Sequence, residues 1–182
     1  MIEKFTFFFS NKHYLSQWHM CKFVIDDIEY NCTEQYMMAE KAKLFKDEET
    51  RDKMMNSFNP KEQKNLGRKV KNFSQDIWNQ IAGCIVYRGN FAKFNRNQHL
   101  KDLLVKTKGT TLVEASPYDS IWGIGLTSTD PRSQNRKTWK GKNWLGKILT
   151  RVRDDLDLIQ EEELDRSSKE FILSRLRLLT WK

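Results

Sequence analysis

The sequence predicts an α+β fold: one mostly helical domain, with a small β-hairpin or sheet near its N-terminus and a C-terminal helical extension. Three observations point there. The chain has 182 residues, which suits a single domain of ~100–200 residues. Strand-like runs are few and short, whereas apolar residues recur at helical spacing in several segments. Six Trp and eleven Phe are ample core material, so most of the chain is expected to fold, and a chain of this length needs no disulfide or metal to hold it.

Phe5 to Phe9 reads as a strand, although it does not alternate. Lys22 to Ile25, Asp26-Asp27, and Ile28 to Tyr30 read as a β-hairpin with a two-residue turn. Thr33 is an N-cap candidate for a helix to about Phe45. Asp47 to about Asn56 reads as a second helix, and Pro60 suits the first turn of a third running to Val70. Ser74 can cap a helix that passes Trp78 and Ile81 and ends near Tyr87; Asn90 to Lys106 is helical with a break near Asn95. Leu112 to Ala115 reads as a buried strand. Ser116 to Arg136 has no lasting periodicity and reads as a long loop, a kind that is usually functional. In Asn143 to Leu156, the residues Leu145, Ile148, Leu149, Val152 and Leu156 keep the i, i+3, i+4, i+7 rule. Glu161 to Lys169 is a polar link, and Phe171, Ile172, Leu176 and Leu179 suggest a terminal helix.

Composition narrows the function. No apolar run approaches the ~20 residues of a membrane span, and Met1 to Ser10 lacks the basic and apolar regions of a signal peptide. Cys21, Cys32 and Cys84 form no CxxC pair, so reduced thiols and a cytoplasmic setting are expected. His13, His19 and His99 have no zinc-type spacing, so neither a metal nor another cofactor is expected.

Three features carry candidate chemistry. On a helix of ~100° per residue, Glu34 and Lys41 fall within about 20° of each other, inside an apolar stripe of Met37, Met38, Ala42, Leu44 and Phe45. Charge there is costly unless it is paired or faces a cleft. The plainer reading is a first-turn acid on the helix dipole and a lysine that snorkels to water. The second feature is Ser116-Pro117-Tyr118-Asp119-Ser120-Ile121-Trp122-Gly123-Ile124-Gly125. Asp119 can act as acid, base or acceptor, Trp122 offers a stacking face, and Gly123 permits close approach of a ligand. Its plainer reading is a turn with a core Trp. The third is Pro131 to Arg153, which holds eight basic residues and no acid, with Trp139 and Trp144 interleaved. That segment suits a phosphorylated ligand or a nucleic acid strand, or simply a solvated face.

An ordered set of motifs ties these features together: Thr33-Glu34-Gln35-Tyr36 with Lys41, Leu66-Gly67-Arg68, Trp78, Ala92-Lys93-Phe94, Leu112-Val113-Glu114-Ala115-Ser116, Asp119, Trp122-Gly123-Ile124-Gly125, Gly141-Lys142-Asn143-Trp144-Leu145-Gly146 and Val152-Arg153. The set resembles the NADAR family, the riboflavin-intermediate N-glycosidases, from about Phe7 to Leu156. The chain departs in having Ser16-Gln17-Trp18 where the family tends to show Ser-Asn-Phe. On this resemblance residues 1–160 form the N-glycosidase domain and 161–182 the helical extension.

The resemblance implies metal-independent hydrolysis of the ribosylamine bond in early, reactive ribosylamino-pyrimidine phosphates. The products would be ribose 5-phosphate and an aminopyrimidine. It implies catalytic roles for Glu34, Lys41 and Asp119, phosphate contacts from Arg68 and Lys93 with Asn143 hydrogen-bonding at a helix start, and base stacking on Trp78 and Trp122 beside Gly123. Two mechanisms stand open. In one, Lys41 attacks as a free amine and forms a ribosyl Schiff base while Glu34 moves protons. In the other, Glu34 or Asp119 activates water. Two alternative functions also stand: removal of ADP-ribose from guanine in nucleic acid, with the basic segment 131–153 as contact, and binding of ADP-ribose-like ligands without turnover. No membrane and no obligate protein partner are expected.

Overall fold

The computed structural model describes residues 3–162. In chain order these form β1 (Phe5–Phe8), β2 (Phe23–Ile25), β3 (Ile28–Tyr30), α1 (Thr33–Leu44), α2 (Glu48–Met55), α3 (Pro60–Gly67), α4 (Gln75–Arg96), α5 (Gln98–Val105), β4 (Thr111–Glu114) and α6 (Trp144–Glu162). Two short 3-10 turns, Pro131–Gln134 and Arg136–Thr138, precede α6. The chain is α+β and mostly helical, as its sequence predicts. The described residues group into two compact units, one of residues 20–96 and one of residues 3–19 with 97–162.

The unit of residues 20–96 is built on α1. The hairpin β2–β3 pairs Phe23 with Tyr30 and Ile25 with Ile28. Its turn residues Asp26 and Asp27 both have positive φ, at 50° and 62°, the backbone that a two-residue hairpin requires and that Asp tolerates. Asp47 caps α2 and also accepts the backbone N–H of Lys71 at 2.8 Å. Asn59 caps α3, with Pro60 at the first helical position.

Three boundaries differ from the sequence expectation. The cap of α1 is Cys32, not Thr33: Cys32 is extended at φ −165° and its sulfur accepts the N–H of Gln35. Helix α3 stops at Gly67, short of Val70. The helix expected to end near Tyr87 runs unbroken to Arg96, and the break falls at Asn97 rather than near Asn95. Gly89 sits inside α4 because a Cβ there would lie 2.5 Å from Cδ1 of Tyr36, so the bare backbone lets α1 and α4 touch.

The stripe expected on α1 also changes. All of Thr33 to Ala39 is buried, while Leu44 is exposed. Helices α2, α3 and α4 all pack on α1, so its first two turns have no wet face.

In the other unit β1 runs parallel to β4, from Phe5 opposite Thr111 to Phe8 opposite Glu114. Helix α6 lies on β4 and α5 packs on α6. Leu145, Ile148, Leu149, Val152 and Leu156 of α6 are all buried, as their spacing requires. Arg153 is buried with them and donates to the carbonyls of Thr107 and Thr110, both at 3.0 Å, so it ties α6 to the turn before β4. The segment from Glu161 expected as a polar link begins inside α6; its remainder and the expected terminal helix lie outside the described residues.

Gly89→Ala should destabilise the protein by about 1–3 kcal/mol, the usual cost of overpacking, because Tyr36 is fully buried and has no room to retreat. Urea unfolding of the two proteins measures it; an unchanged midpoint would show that α1 and α4 can separate freely.

Candidate active site

The start of α1 is held by a buried hydrogen-bond network. The side chain of Gln35 accepts the N–H of Asn31 at 2.8 Å and donates to the carbonyls of Met54, Met55 and Ser57 at 3.0, 3.2 and 3.2 Å. The amide of Gln63 donates to Ser57 O at 2.8 Å and to Asn31 Oδ1 at 3.1 Å. Its oxygen accepts the Cys32 thiol proton at 3.1 Å. These bonds satisfy carbonyls at the end of α2 that would otherwise be buried without partners.

Glu34 lies inside this network and is 6% exposed. Lys93, on α4, is 0% exposed. Burial pushes the Cys32 thiol up to about 12; the nearby Glu34 carboxylate adds to that rise, and Lys93 opposes it. Burial lowers Lys93 from 10.5 to about 8, and the Cys21 and Cys32 thiols beside it act the other way. Glu34, Cys32 and Lys93 are all buried, and the half-buried Cys21 acts on Lys93 from nearby. A fully buried Lys93 does not present its amine to a substrate phosphate, the role the sequence suggested for it.

Lys41 sits two turns further along α1, roughly 10 Å along the axis. Its amine donates to Gly67 O at 2.8 Å and lies 3.9 Å from the centre of the Phe73 ring and 5.6 Å from that of Trp78. Desolvation lowers its pKa below the ordinary 10.5. Unlike Lys93 it is only half-buried. Arg68 follows directly on the carbonyl that holds Lys41 and is exposed. Lys41, Arg68 and Trp78 are thus brought together, with Phe73 added by the structure.

Asp119, Trp122, Gly123 and Asn143 belong to the other unit. One carboxylate oxygen of Asp119 accepts the N–H groups of Ile121 and Trp122, at 2.9 and 2.8 Å. Trp122 packs edge-on against Trp144, their ring centres 5.8 Å apart. Gly123 is needed for packing, since a Cβ would meet Glu114 O at 2.9 Å. Asn143, at φ 52°, accepts the N–H of Glu114 at 3.0 Å and donates to Leu112 O at 2.8 Å. Its amide braces β4 rather than pointing at a ligand. The segment expected as a loop is laced to the start of α6 by backbone bonds, among them Asn143 N–H to Gly123 O at 3.0 Å and Leu145 N–H to Trp122 O at 3.1 Å.

Half of the basic window is structural. Arg132 pairs with Asp130, Arg136 with Glu3, Arg151 with Asp155 and Arg153 with Asp154. Lys137, Lys140 and Lys147 are exposed, and the Lys142 amine lies 5.0 Å from the Trp144 ring centre. Among the described residues no group of three His, Cys, Asp or Glu is placed to hold a metal ion, and no helix is long and apolar enough to cross a membrane.

Sequence reasoning gave no site role to Cys32, Gln35 or Gln63. The only available signal was a run of polar residues at the start of a helix packed with Met and Ala. Neutral amides carry no mark of burial.

The family model for the NADAR domain matches residues 6–157. The chain is 41% identical over 164 residues to N-glycosidase R617 of Acanthamoeba polyphaga mimivirus, covering 84% of this chain and 96% of that protein. It is 37% identical over 156 residues to protein irg-1 of Caenorhabditis elegans, covering 84% and 74%. It is 30% identical over 108 residues to the chloroplastic riboflavin biosynthesis protein PYRR of Arabidopsis thaliana, covering 57% of this chain and 16% of that protein. The NMR structure of the E. coli protein YbiA superposes with a TM-score of 0.74 at 23% identity, covering 92% of this chain and 94% of that one, so the two share a fold.

Lys93 generates a stability prediction. In the unfolded chain it keeps its proton to about 10.5, and in the folded protein only to about 8. Between those values the unfolded state binds more protons, so this group makes stability rise with pH. Below about 8 the burial cost is present in full. The difference in urea midpoint between native protein and Lys93→Met should therefore shift in favour of the native protein as pH rises from 8 to 9.5. A difference that stays flat over that range would mean that Lys93 remains charged and paired.

Proposed function

This chain belongs to the NADAR family and hydrolyses N-glycosyl bonds; we propose that its substrates are ribosylamino-pyrimidine phosphates, early and reactive intermediates of riboflavin biosynthesis. The observation that carries this reading is the half-buried amine of Lys41, framed by Phe73 and Trp78 and next to Arg68. The similarity of part of the chain to a riboflavin biosynthesis protein supports the substrate class. Clearing such intermediates would be metabolite damage control.

In these substrates C1 of ribose is bonded to an exocyclic amine, and the sugar ring can open to an imine. An amine that loses its proton more readily than an ordinary lysine can add to that carbon. Lys41 leaves the Gly67 carbonyl and bonds to C1. The C1–N bond to the pyrimidine then breaks, and the aminopyrimidine departs with a proton. Water adds to the ribosyl–lysine imine, expels the Lys41 amine and frees ribose 5-phosphate. The balance is one substrate and one water to one aminopyrimidine and one ribose 5-phosphate. Glu34 is the proton shuttle in this reading, because residues seven apart lie on the same side of a helix and Glu34 is the acid on the side of α1 that carries Lys41. Trp78 offers its face to the base, and Arg68 holds the phosphate as a charge-assisted contact. Lys93 stays buried beside Cys32 and takes no part in the steps.

A second reading, removal of ADP-ribose from guanine in nucleic acid, is favoured by the exposed lysines beside Trp144. Incubating the protein with each substrate class separates the two, because one releases free ribose 5-phosphate and the other free ADP-ribose.

Borohydride added during turnover should trap a ribosyl adduct on Lys41. Lys41→Arg should abolish both trapping and activity, since a guanidinium stays protonated. Glu34→Gln should slow turnover by roughly 10²–10⁴-fold. Full activity in Lys41→Arg would leave water activation by Glu34 as the working mechanism.

Arg68→Ala should raise KM for the phosphorylated substrate well above any change in kcat, the mark of lost uniform binding. Steady-state kinetics on phosphorylated and dephosphorylated substrates test it, and an unchanged preference would remove Arg68 from the phosphate.

A further inference from the structure

We infer that Gln63 is a positioning residue for Glu34, acting through the thiol of Cys32 and the amide of Gln35. The inference rests on the reading of Glu34 as the acid–base group. Its observations are geometric. Cys32 has one thiol proton, and Gln63 Oε1 takes it at 3.1 Å. With that proton turned away, the sulfur lone pairs face α1 and accept the N–H of Gln35 at 3.4 Å. Gln35 is fixed in turn by the Asn31 N–H and by the carbonyls of Met54, Met55 and Ser57. Glu34 is therefore flanked by Cys32, whose thiol Gln63 orients, and by Gln35, whose N–H that sulfur accepts.

A thiol is an unusual helix cap, because Ser, Thr, Asp and Asn accept more strongly. Here its value is directional. The sulfur can cap α1 and leave the Glu34 carboxylate without an S–H donor only while Gln63 takes the thiol proton. Once Gln63 is gone, the S–H is free to turn toward the carboxylate of Glu34, which lies in the first turn of the helix that Cys32 caps. Donation to a carboxylate favours its charged form and makes it a weaker base.

Besides Glu34, two titratable groups among the described residues act on the Cys32 thiol and its neighbour. Lys93 reaches Cys32 from α4, and Cys21 lies beside Lys93. From α3 the contact is the neutral Gln63, and from the end of α2 it is backbone carbonyls.

The test is a set of four variants, Gln63→Leu, Cys32→Ala, their double mutant and Glu34→Gln, assayed for ribose 5-phosphate release across pH. Gln63→Leu leaves Ser57 O with Asn31 and Gln35 as donors, so the fold should persist; circular dichroism and the urea midpoint check it. Gln63→Leu should lower kcat by about tenfold or more, with KM nearly unchanged, and should move the acid limb of the kcat–pH profile to lower pH. Adding Cys32→Ala should return that limb to its native position, because no S–H remains to turn. A merely structural Gln63 would lower the urea midpoint and leave the limb and the ratio of kcat to KM effects unmoved, and that result overturns the inference. Full activity in Glu34→Gln would instead overturn the acid–base reading beneath it. If Gln63→Leu fails to fold, Cys32→Ala and Cys32→Ser decide: Cys32→Ser, which keeps one donor proton and an acceptor, should retain native kcat and limb, and Cys32→Ala should lose kcat without a limb shift. Equal kinetics in the two would overturn the inference.

Discussion

The carbonyl of Ser57 accepts hydrogen bonds from Asn31, Gln35 and Gln63, at 2.9, 3.2 and 2.8 Å. Three side-chain amides converge on one oxygen at the point where α2 has ended and α3 has not begun. Helix ends leave carbonyls without partners, and burying them unpaired costs about 1–3 kcal/mol each. Here the amides come from the start of α1 and from α3, so the same bonds that satisfy α2 fix where α1 begins. Glu34 owes its address to that arrangement: it lies between Cys32 and Gln35, both of which are tied into it.

Because α2, α3 and α4 surround α1, polarity changes along the helix axis rather than around it. The first turn is dry. Burial lowers the Lys93 amine from 10.5 to about 8 and pushes the Cys32 thiol up to about 12. Toward its C-terminal end α1 opens, with Lys41 half-buried and Leu44 exposed. An acid sits deep and an amine nearer to the surface on one rigid element. Rigid placement matters because a positioned proton donor or acceptor works only within hydrogen-bond reach of the reacting atoms. The network around Ser57 O supplies the rigidity, and the contact of Tyr36 with the bare backbone of Gly89 keeps α4 and its Lys93 close.

Much of the fold was legible wherever a local signal decides the structure. The Asp26-Asp27 turn, the Asp47 and Asn59-Pro60 helix starts and the apolar spacing of α6 all act over a few residues, and the structure agrees with them. The failures are nonlocal. A stripe analysis assumes one wet face and one dry face, which α1 lacks in its first two turns. The continuity of α4 past Tyr87 depends on Tyr36, some fifty residues earlier, filling the space that a side chain at Gly89 would occupy. Glu34 and Lys41 stood out in the sequence because charge among methionines is costly wherever it occurs. Gln35 and Gln63 did not, since a neutral amide reads the same on a surface as in an interior, and most of their partners lie nineteen to thirty-two residues away.

The residues that carry the family resemblance divide by the work they do. In the unit of residues 3–19 and 97–162 they mostly brace backbone. Asn143 binds the N–H of Glu114 and the carbonyl of Leu112. Gly123 lets the loop approach Glu114 O, and Arg153 holds the carbonyls of Thr107 and Thr110. Each of these positions permits few substitutes for geometric reasons alone, Asn143 because its backbone is left-handed at φ 52° and because only a side chain that both donates and accepts can bridge the two β4 groups. In the unit of residues 20–96 the matched residues are instead ionisable or aromatic groups held at depth or at an opening: Glu34, Lys41, Trp78 and Lys93. Gly123, Asn143 and Arg153 are therefore accounted for by the way β4 folds under α6. Across residues 33–93 the match includes the groups on which the proposed chemistry draws, an acid at the dry end of α1 and a lysine among aromatic rings near its open end.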